Sequence, residues 1–569
     1  MGTDLTIIGL AVGAIAAVIA YLQLRRMPRR SSLAENDQVA VSTGTEPPRH
    51  NLPLPRKLLV GRQEELERVT NGFLSRIPVV CLEGMGGIGK TAIAQEVAWK
   101  ALNGELEHEF RAVAWTEDRE GSLTLDQLMD IIAEVIGYPY LKGLKTGEKQ
   151  SQVISRLREL PTLIIVDNYE TTQDSRILTF LRMLPPSQTK AIVTTRERLI
   201  DDAWIVEVRG LPQNDANALL MVEATRLSVP AVLNAPPSLI SEFHVTTEGN
   251  PLAILLSVGQ AYQGISSLGD TVANLQGTKP GELLITIFQR IWNQAILNDD
   301  QARRALIVMA LHSSSVSRAA LEAGCEANGS SMTNTIRRLV ELSLLETYQD
   351  TAAASFRYRI HALTRSFTWS QEKSDPTRIE LPERRLIDFY LNFAHRHENT
   401  YSSVEHVRAL ELEHSNLLTF AKMSNRQAVY SKTSESCLPV IGYANTLASY
   451  LWGRGYWRDR LELCGHAIKA AETLGDHLQV SRQQALIGRI YLWLGEISVA
   501  KDCLHQSQLA VRDDPSELAQ ATPRRLRAQI ASREGDYELA HRLLSEVLKS
   551  APHTVDDEGR AAPSWNSAS

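Results

Sequence analysis

The chain is short of cysteine, of net charge and, with one exception, of long apolar runs. Its five cysteines, Cys81, Cys325, Cys437, Cys464 and Cys503, are odd in number and form no C-x-x-C pair. A disulfide framework and a zinc ribbon are therefore both excluded. A net charge of −6, from 60 basic and 66 acidic side chains, leaves no large positive field with which to hold nucleic acid at physiological salt. Nucleic acid is an unlikely partner on that ground. With 43% hydrophobic and 22% charged residues the composition is that of ordinary globular protein, not of a disordered, collagenous or polytopic membrane chain. At roughly 150 residues per domain, 569 residues imply about four domains, in a soluble part that reads as cytosolic and reduced.

The exception is residues 5–24, LTIIGLAVGAIAAVIAYLQL, which carry no charge. Twenty residues of helix span roughly 30 Å, enough to cross a bilayer once. Only Asp4 among charged residues precedes the run and no small-residue cleavage site follows before Arg25, so it reads as an uncleaved anchor rather than a signal peptide. Four arginines in RRMPRR follow it and none precede it, which predicts a single-pass membrane protein with its folded domains cytoplasmic. Gly9, Gly13 and Ala17 line one helix face where two such helices can approach.

Residues 25–57 are basic, then polar and proline-rich, and read as a linker. Over 58–209 short apolar runs (PVVCLEG, FRAVAWTE, TLIIVDN, KAIVTTR) alternate with helical patterns, which predicts a doubly wound parallel α/β sheet. Residues 210–278 read as a helical domain. Residues 279–372, helices followed by the hairpin pair SLLETYQD and SFRYRIHAL, read as a winged helix. A helical connector is expected over 373–434. Over 435–552, Gly455, Gly495 and Gly535 recur every 40 residues. Small residues at Ala448, Gly488 and Ala528, and at Ala500 and Ala540, keep the same period, as close-packed helix pairs of an α-solenoid require. The composition is similar to tetratricopeptide repeats, with Arg460 breaking the pattern in the first copy. The tail, 553–569, reads as disordered.

The chemistry is concentrated in GMGGIGKT, Gly84-Met85-Gly86-Gly87-Ile88-Gly89-Lys90-Thr91, which fits G-x-x-x-x-G-K-[ST] between a strand and a helix. Its glycines let backbone N–H groups surround phosphate oxygens, Lys90 adds charge on the outer phosphates, and Thr91 is the expected Mg²⁺ ligand. Asp167, ending TLIIVD, is the carboxylate expected to hold Mg²⁺ through water. Asp167 and Asn168 form the candidate catalytic pair, but an amide at 168 takes no proton, so ATP hydrolysis is expected to be slow at most. Glu170 is the candidate substitute, with a solvated loop charge as the alternative.

LVGRQEELERV, GMGGIGKT, LIIVDN, IVTTR, GLPQNDANALL, EGNPLAI and YRIHALTR stand in the order and spacing of the NB-ARC nucleotide switches, the STAND class of signalling ATPases. The resemblance covers about residues 57–370. It implies that Val60 and Arg62 lie near the adenine and ribose, that Arg196 senses the terminal phosphate, that Pro251 packs on the base, and that His361 contacts the β-phosphate of ADP. An acid usually follows that histidine; here Ala362 does, which predicts a looser closed state. Together these features predict a membrane-anchored ADP/ATP switch, using Mg²⁺, in which a protein or peptide ligand on the repeats controls nucleotide exchange and homo-oligomerisation in the ATP-bound form. Two alternatives stay open: a winged-helix transcription regulator, with Arg337 and Arg338 as its best DNA contacts, and a repeat scaffold with a structural nucleotide.

Overall fold

Four apolar runs buried on both faces build the centre of the first part of the molecule. The computed structural model describes residues 49–53, 59–118, 123–197, 202–350, 355–400 and 403–554. They fall into two compact units, one over 49–393 with 412–423 and the other over 394–411 with 424–554.

In the first unit β1 (Arg49–His50), β2 (Val79–Glu83), β3 (Ala112–Glu117), β4 (Thr162–Asp167), β5 (Lys190–Thr195) and β6 (Trp204–Glu207) form a parallel sheet in the order β1-β3-β4-β5-β2-β6. Val80, Leu82, Val113, Leu163 and Ile165 face the cluster that includes α1 (Gln63–Leu74) and α2 (Lys90–Leu102). Their alternating neighbours Val79, Cys81, Ala112, Ile164 and Val166 face α3 (Leu125–Val135), α4 (Thr146–Glu159) and α5 (Arg176–Arg182). Helices on both faces explain why these strands read as unbroken apolar runs.

Two edge strands were not legible as strands. β6 is four residues long with partly buried side chains, too short for a periodic signal. β1 falls inside the expected linker, which is thereby corrected over residues 49–53. Polar contacts hold it there: Asn51 Nδ2 donates to Trp115 O at 2.9 Å, its Oδ1 accepts from Trp115 N at 2.7 Å, and Arg49 donates to Ile136 O at 3.1 Å.

A helical layer follows: α6 (Gln213–Leu227), α7 (Pro230–Leu233), α8 (Pro237–Thr247), α9 (Pro251–Tyr262) and α10 (Leu268–Leu275), sharing a core of Leu220, Phe243, Ile254, Val258 and Val272. Next come α11 (Leu283–Ile291), α12 (Asp300–Leu311), α13 (Arg318–Cys325) and α14 (Gly329–Glu341). β7 (Val316–Ser317), β8 (Leu345–Asp350) and β9 (Ser355–Ile360) form an antiparallel sheet in the order β7-β9-β8, and α15 (Ala362–Glu372) leaves its end. Helices closed by a β8–β9 hairpin make a winged helix. The connector holds α16 (Thr377–Arg396) and α17 (Val404–Ser431).

The second unit contains α18 (Ser434–Thr446), α19 (Ala448–Gly453), α20 (Trp457–Leu474), α21 (His477–Trp493), α22 (Ile497–Ala510), α23 (Glu517–Glu534) and α24 (Tyr537–Thr554). Gly455, Gly495 and Gly535 occupy the turns between paired helices with φ of 72°, 81° and 88°, a region that favours glycine. The 40-residue period is thus a period of left-handed turns. Arg460 remains inside the same packing: it is buried, donates to the Ala448 carbonyl and lies over the Trp452 ring. α24 runs to Thr554, two residues into the expected tail. All five cysteines are buried and free. The run 5–24 lies outside the described residues; among those described, no helix is long and apolar enough to cross a membrane.

Two outcomes follow from this packing. A Cβ at Gly488 would lie 2.6 Å from Leu526 Cδ2 and 3.1 Å from Cys503 Cβ, so Gly488→Val should destabilise the repeat unit by about 1–3 kcal/mol in denaturant titration. His312 is buried between Tyr390 and Phe420; its Nδ1 donates to Val308 O at 2.6 Å and its Nε2 has no partner. Burial, helped by Arg357 and Arg365, pushes this imidazole down to about 3. The unfolded chain takes up a proton near pH 6.5 that the native site refuses until about pH 3, so stability falls as pH drops through that window. His312→Gln should flatten the decline of Tm between those limits, and an unchanged slope contradicts this account.

Candidate nucleotide site

The loop after β2 is shaped by close approach. A Cβ at Gly84 would collide with the Val208 carbonyl, and Gly87, at φ 73°, would bring one to 2.9 Å from Leu284 and 3.0 Å from Leu252. Glycine at these positions lets the loop lie against the sheet edge and the helical layer, with the N-terminus of α2 behind it. Lys90 is buried and donates to Gly84 O at 2.6 Å and Met85 O at 3.0 Å. Burial pushes its ammonium down to about 8; Glu170 and Asp167 oppose that shift and Arg196 adds to it.

β5 lies between β2 and β4, so the tips of three strands converge under the loop. Asp167 Oδ1 accepts from Thr91 Oγ1 at 2.9 Å and from Thr194 Oγ1 at 2.5 Å. Burial raises its carboxyl above the usual carboxylate range, Glu117 adds repulsion, and the two hydroxyls and Arg359 oppose them. A desolvated carboxylate touching a threonine hydroxyl suits a divalent cation, which would relieve that cost. Thr91 and Asp167 fit Mg²⁺.

These groups open into a cavity of about 180 Å³ whose lining also includes Val60, Arg62, Gly86, Ile88, Gly89, Asn168, Arg196, Pro251 and His361. The sequence-chosen residues thus converge, apart from Gly84 and Met85, which do not line the cavity and whose carbonyls accept from Lys90. Within that group some side chains are already engaged. Arg62 is buried and donates to Arg209 O at 2.6 Å, Ile88 O at 2.7 Å and Glu65 at 2.6 Å, so its guanidinium clamps the phosphate loop from below. Asn168 turns the chain at φ 60° and its N–H donates to Thr194 Oγ1. Arg196 Nε pairs with Glu170 at 2.8 Å. His361 caps α15, its Nδ1 accepting from Leu363 N at 3.2 Å.

Four contributors were not picked out from the sequence. Asn250 caps α9 by accepting from Leu252 N and Ala253 N, and its Nδ2 donates to Gly86 O at 3.2 Å, tying the helical layer to the phosphate loop. Thr194 holds Asp167. Glu117 and Arg359, from β3 and β9, pair at 3.4 Å inside the cavity. Burial disfavours the charge on Arg359, but Glu117, Tyr348, Glu346 and Asp167 outweigh it and raise its pKa. Only the N-P dipeptide before α9 carried a local signal, an N-cap followed by Pro at N1. A second cavity of about 260 Å³ lies away from the loop, between α12 and α16; Arg303, Arg304, Arg378 and Arg385 on its wall are each bonded to a carboxylate or a carbonyl.

Residues 62–226 match the NB-ARC domain. The NB-ARC match together with the phosphate-loop geometry implies nucleotide binding. Among curated proteins, the transcription activator GutR of Bacillus subtilis (strain 168) is 27% identical over 286 residues, 45% of this chain and 33% of that one. The alignment therefore spans about a third of that relative. Among solved structures, a Signal Transduction ATPase with Numerous Domains (STAND) protein with a tetratricopeptide repeat sensor from Pyrococcus horikoshii superposes with a TM-score of 0.50 at 17% identity, over 89% of this chain and 72% of that one. At that identity this is a likeness of fold alone.

Asn250→Ala removes both cap bonds and the Gly86 tether. It should cost about 1–2 kcal/mol in unfolding free energy and weaken ADP binding in a fluorescent-nucleotide titration; unchanged ADP affinity would contradict the tether.

Proposed function

We propose that the chain is a membrane-anchored ADP/ATP switch, in which the repeats receive a protein or peptide ligand that controls nucleotide exchange and homo-oligomerisation. The observation that carries the reading is the shared cavity. The phosphate loop, Pro251 of the helical layer and His361 of the winged helix all line it, so a bound nucleotide touches three parts at once and its identity biases their arrangement. In this reading Lys90 neutralises the outer phosphates, Thr91 and Asp167 hold Mg²⁺, Arg196 senses the terminal phosphate, and His361 contacts the β-phosphate of ADP. Mg²⁺ supplies charge neutralisation there. Residues 5–24 anchor the chain with its folded domains in the cytoplasm, the role that their length and the following arginines support.

A transcription regulator is the second reading, favoured by the similarity to GutR. Arg337 on α14 is exposed, but Arg338 pairs with Asp299 at 2.5 Å, which leaves one of the two proposed DNA contacts engaged within the protein. A scaffold with a structural nucleotide is the third, supported by Asn168.

The full chain in detergent should copurify with ADP or ATP, and Lys90→Ala should lower the bound nucleotide at least about tenfold, the loss of a charge-assisted phosphate contact. Retention of nucleotide by Lys90→Ala overturns the site assignment. An assembly size that is the same with ADP and ATP favours the scaffold, and salt-sensitive duplex DNA binding favours the regulator. Recovery of the full chain in the soluble fraction without detergent contradicts the anchor.

A further inference from the structure

Asp167 is followed by an amide, yet other carboxylates stand nearby. Glu346 lines the cavity from the winged helix, accepts from the Tyr348 hydroxyl and leaves with that domain when it undocks. Asp118 is spent: Oδ1 accepts from Leu123 N at 3.0 Å and Oδ2 from Thr171 Oγ1 at 3.0 Å. Glu170 pairs with Arg196 and does not line the cavity. Glu117 does line it. It ends β3 in direct register with Asp167 at the end of β4, and register partners in parallel strands project from the same face. A side chain one strand away from the Mg²⁺-binding carboxylate, in the cavity that holds Lys90 and Thr91, is placed to reach the far side of a terminal phosphate.

Glu117 is also the group that the winged helix covers. Arg359 of β9 reaches 242 residues back along the chain to Glu117 Oε2, at 3.4 Å through one nitrogen. Both side chains are largely buried, with 18% and 13% exposure. An ion pair this long between desolvated charges comes close to break-even against solvation, so separating it carries no large penalty. The pair also links the winged helix to the sheet two residues before His361, where Ala362 supplies no acid.

We propose that Glu117 is the catalytic carboxylate that Asn168 is not, and that Arg359 masks it while the winged helix is docked. This rests on the switch reading. In the step itself, Glu117 orients a water whose oxygen attacks the γ-phosphorus of ATP, and its carboxylate takes the water proton. The bond from the γ-phosphorus to the bridging oxygen breaks, and its electron pair leaves on ADP. Undocking the winged helix withdraws Arg359 from Glu117, so turnover follows opening. Hydrolysis in the docked form is slow because the base is ion-paired, and Asn168 keeps only its role in the turn.

The test measures single-turnover hydrolysis of radiolabelled ATP, and fluorescent-ADP binding in parallel, on the full chain and its E117Q, R359M, E117Q/R359M and E170Q variants. Expected are faster turnover in R359M than in wild type, a loss of about 100-fold from R359M to E117Q/R359M, the span of a general base, a smaller loss from wild type to E170Q, where the Arg196 pair is broken, and ADP binding retained throughout. If R359M does not fold, R359Q and E117Q/R359Q make the same comparison. The proposal is overturned if E117Q turns over at the parent rate, if R359M is no faster than wild type, or if E170Q alone abolishes turnover. Absence of nucleotide binding in wild type would instead sink the switch reading.

Discussion

A carboxylate kept dry at the tip of a strand is the constraint on which the nucleotide site depends. Asp167 is buried and stays at β4's end because two hydroxyls, Thr91 from the phosphate loop and Thr194 from the intervening strand, hydrogen-bond it. Charge without water costs free energy unless it is matched. Hydroxyls from β5 and α2 and a guanidinium from the winged helix supply the match, against the repulsion of Glu117 on β3. The parallel sheet exists to bring these tips together, and its two apolar faces hold them in place.

The same economy of charge links the parts of the first unit. Asn250 and Arg359 each reach the phosphate-binding side of the sheet from another layer, one as a neutral tether to a loop carbonyl and one as an ion partner. Neither contact is strong by itself. In the proposed switch a nucleotide would compete with or complete them, and small differential contacts would shift the arrangement. The repeat unit uses different physics. There small residues and left-handed turns set helix spacing, and Arg460 shows that a long side chain is tolerated where a carbonyl and an indole face receive it.

Much of the fold was legible in the residues. The phosphate loop, the β4 carboxylate, the hairpin and the 40-residue period are local patterns: glycines at turns, apolar runs in buried strands, caps before helices. The two edge strands were not, because β1 is held by Asn51 and Arg49 rather than by an apolar stripe, and β6 is too short to show a period. The family resemblance implies that Arg62 lies near the adenine and ribose, and it lines the cavity; its three hydrogen bonds to Arg209, Ile88 and Glu65 give it a further task that no spacing announces.

By itself the sequence determined the chemistry on offer: a phosphate cradle, a carboxylate, a switch-like order of motifs and an uncharged run over residues 5–24. Only the tertiary structure decided which groups meet. Glu117 and Arg359 are 242 positions apart and Asn250 and Gly86 are 164 apart. A local pattern records how a segment folds on itself, whereas such pairs are set by how layers dock, which depends on the shapes of surfaces that form after each segment has folded.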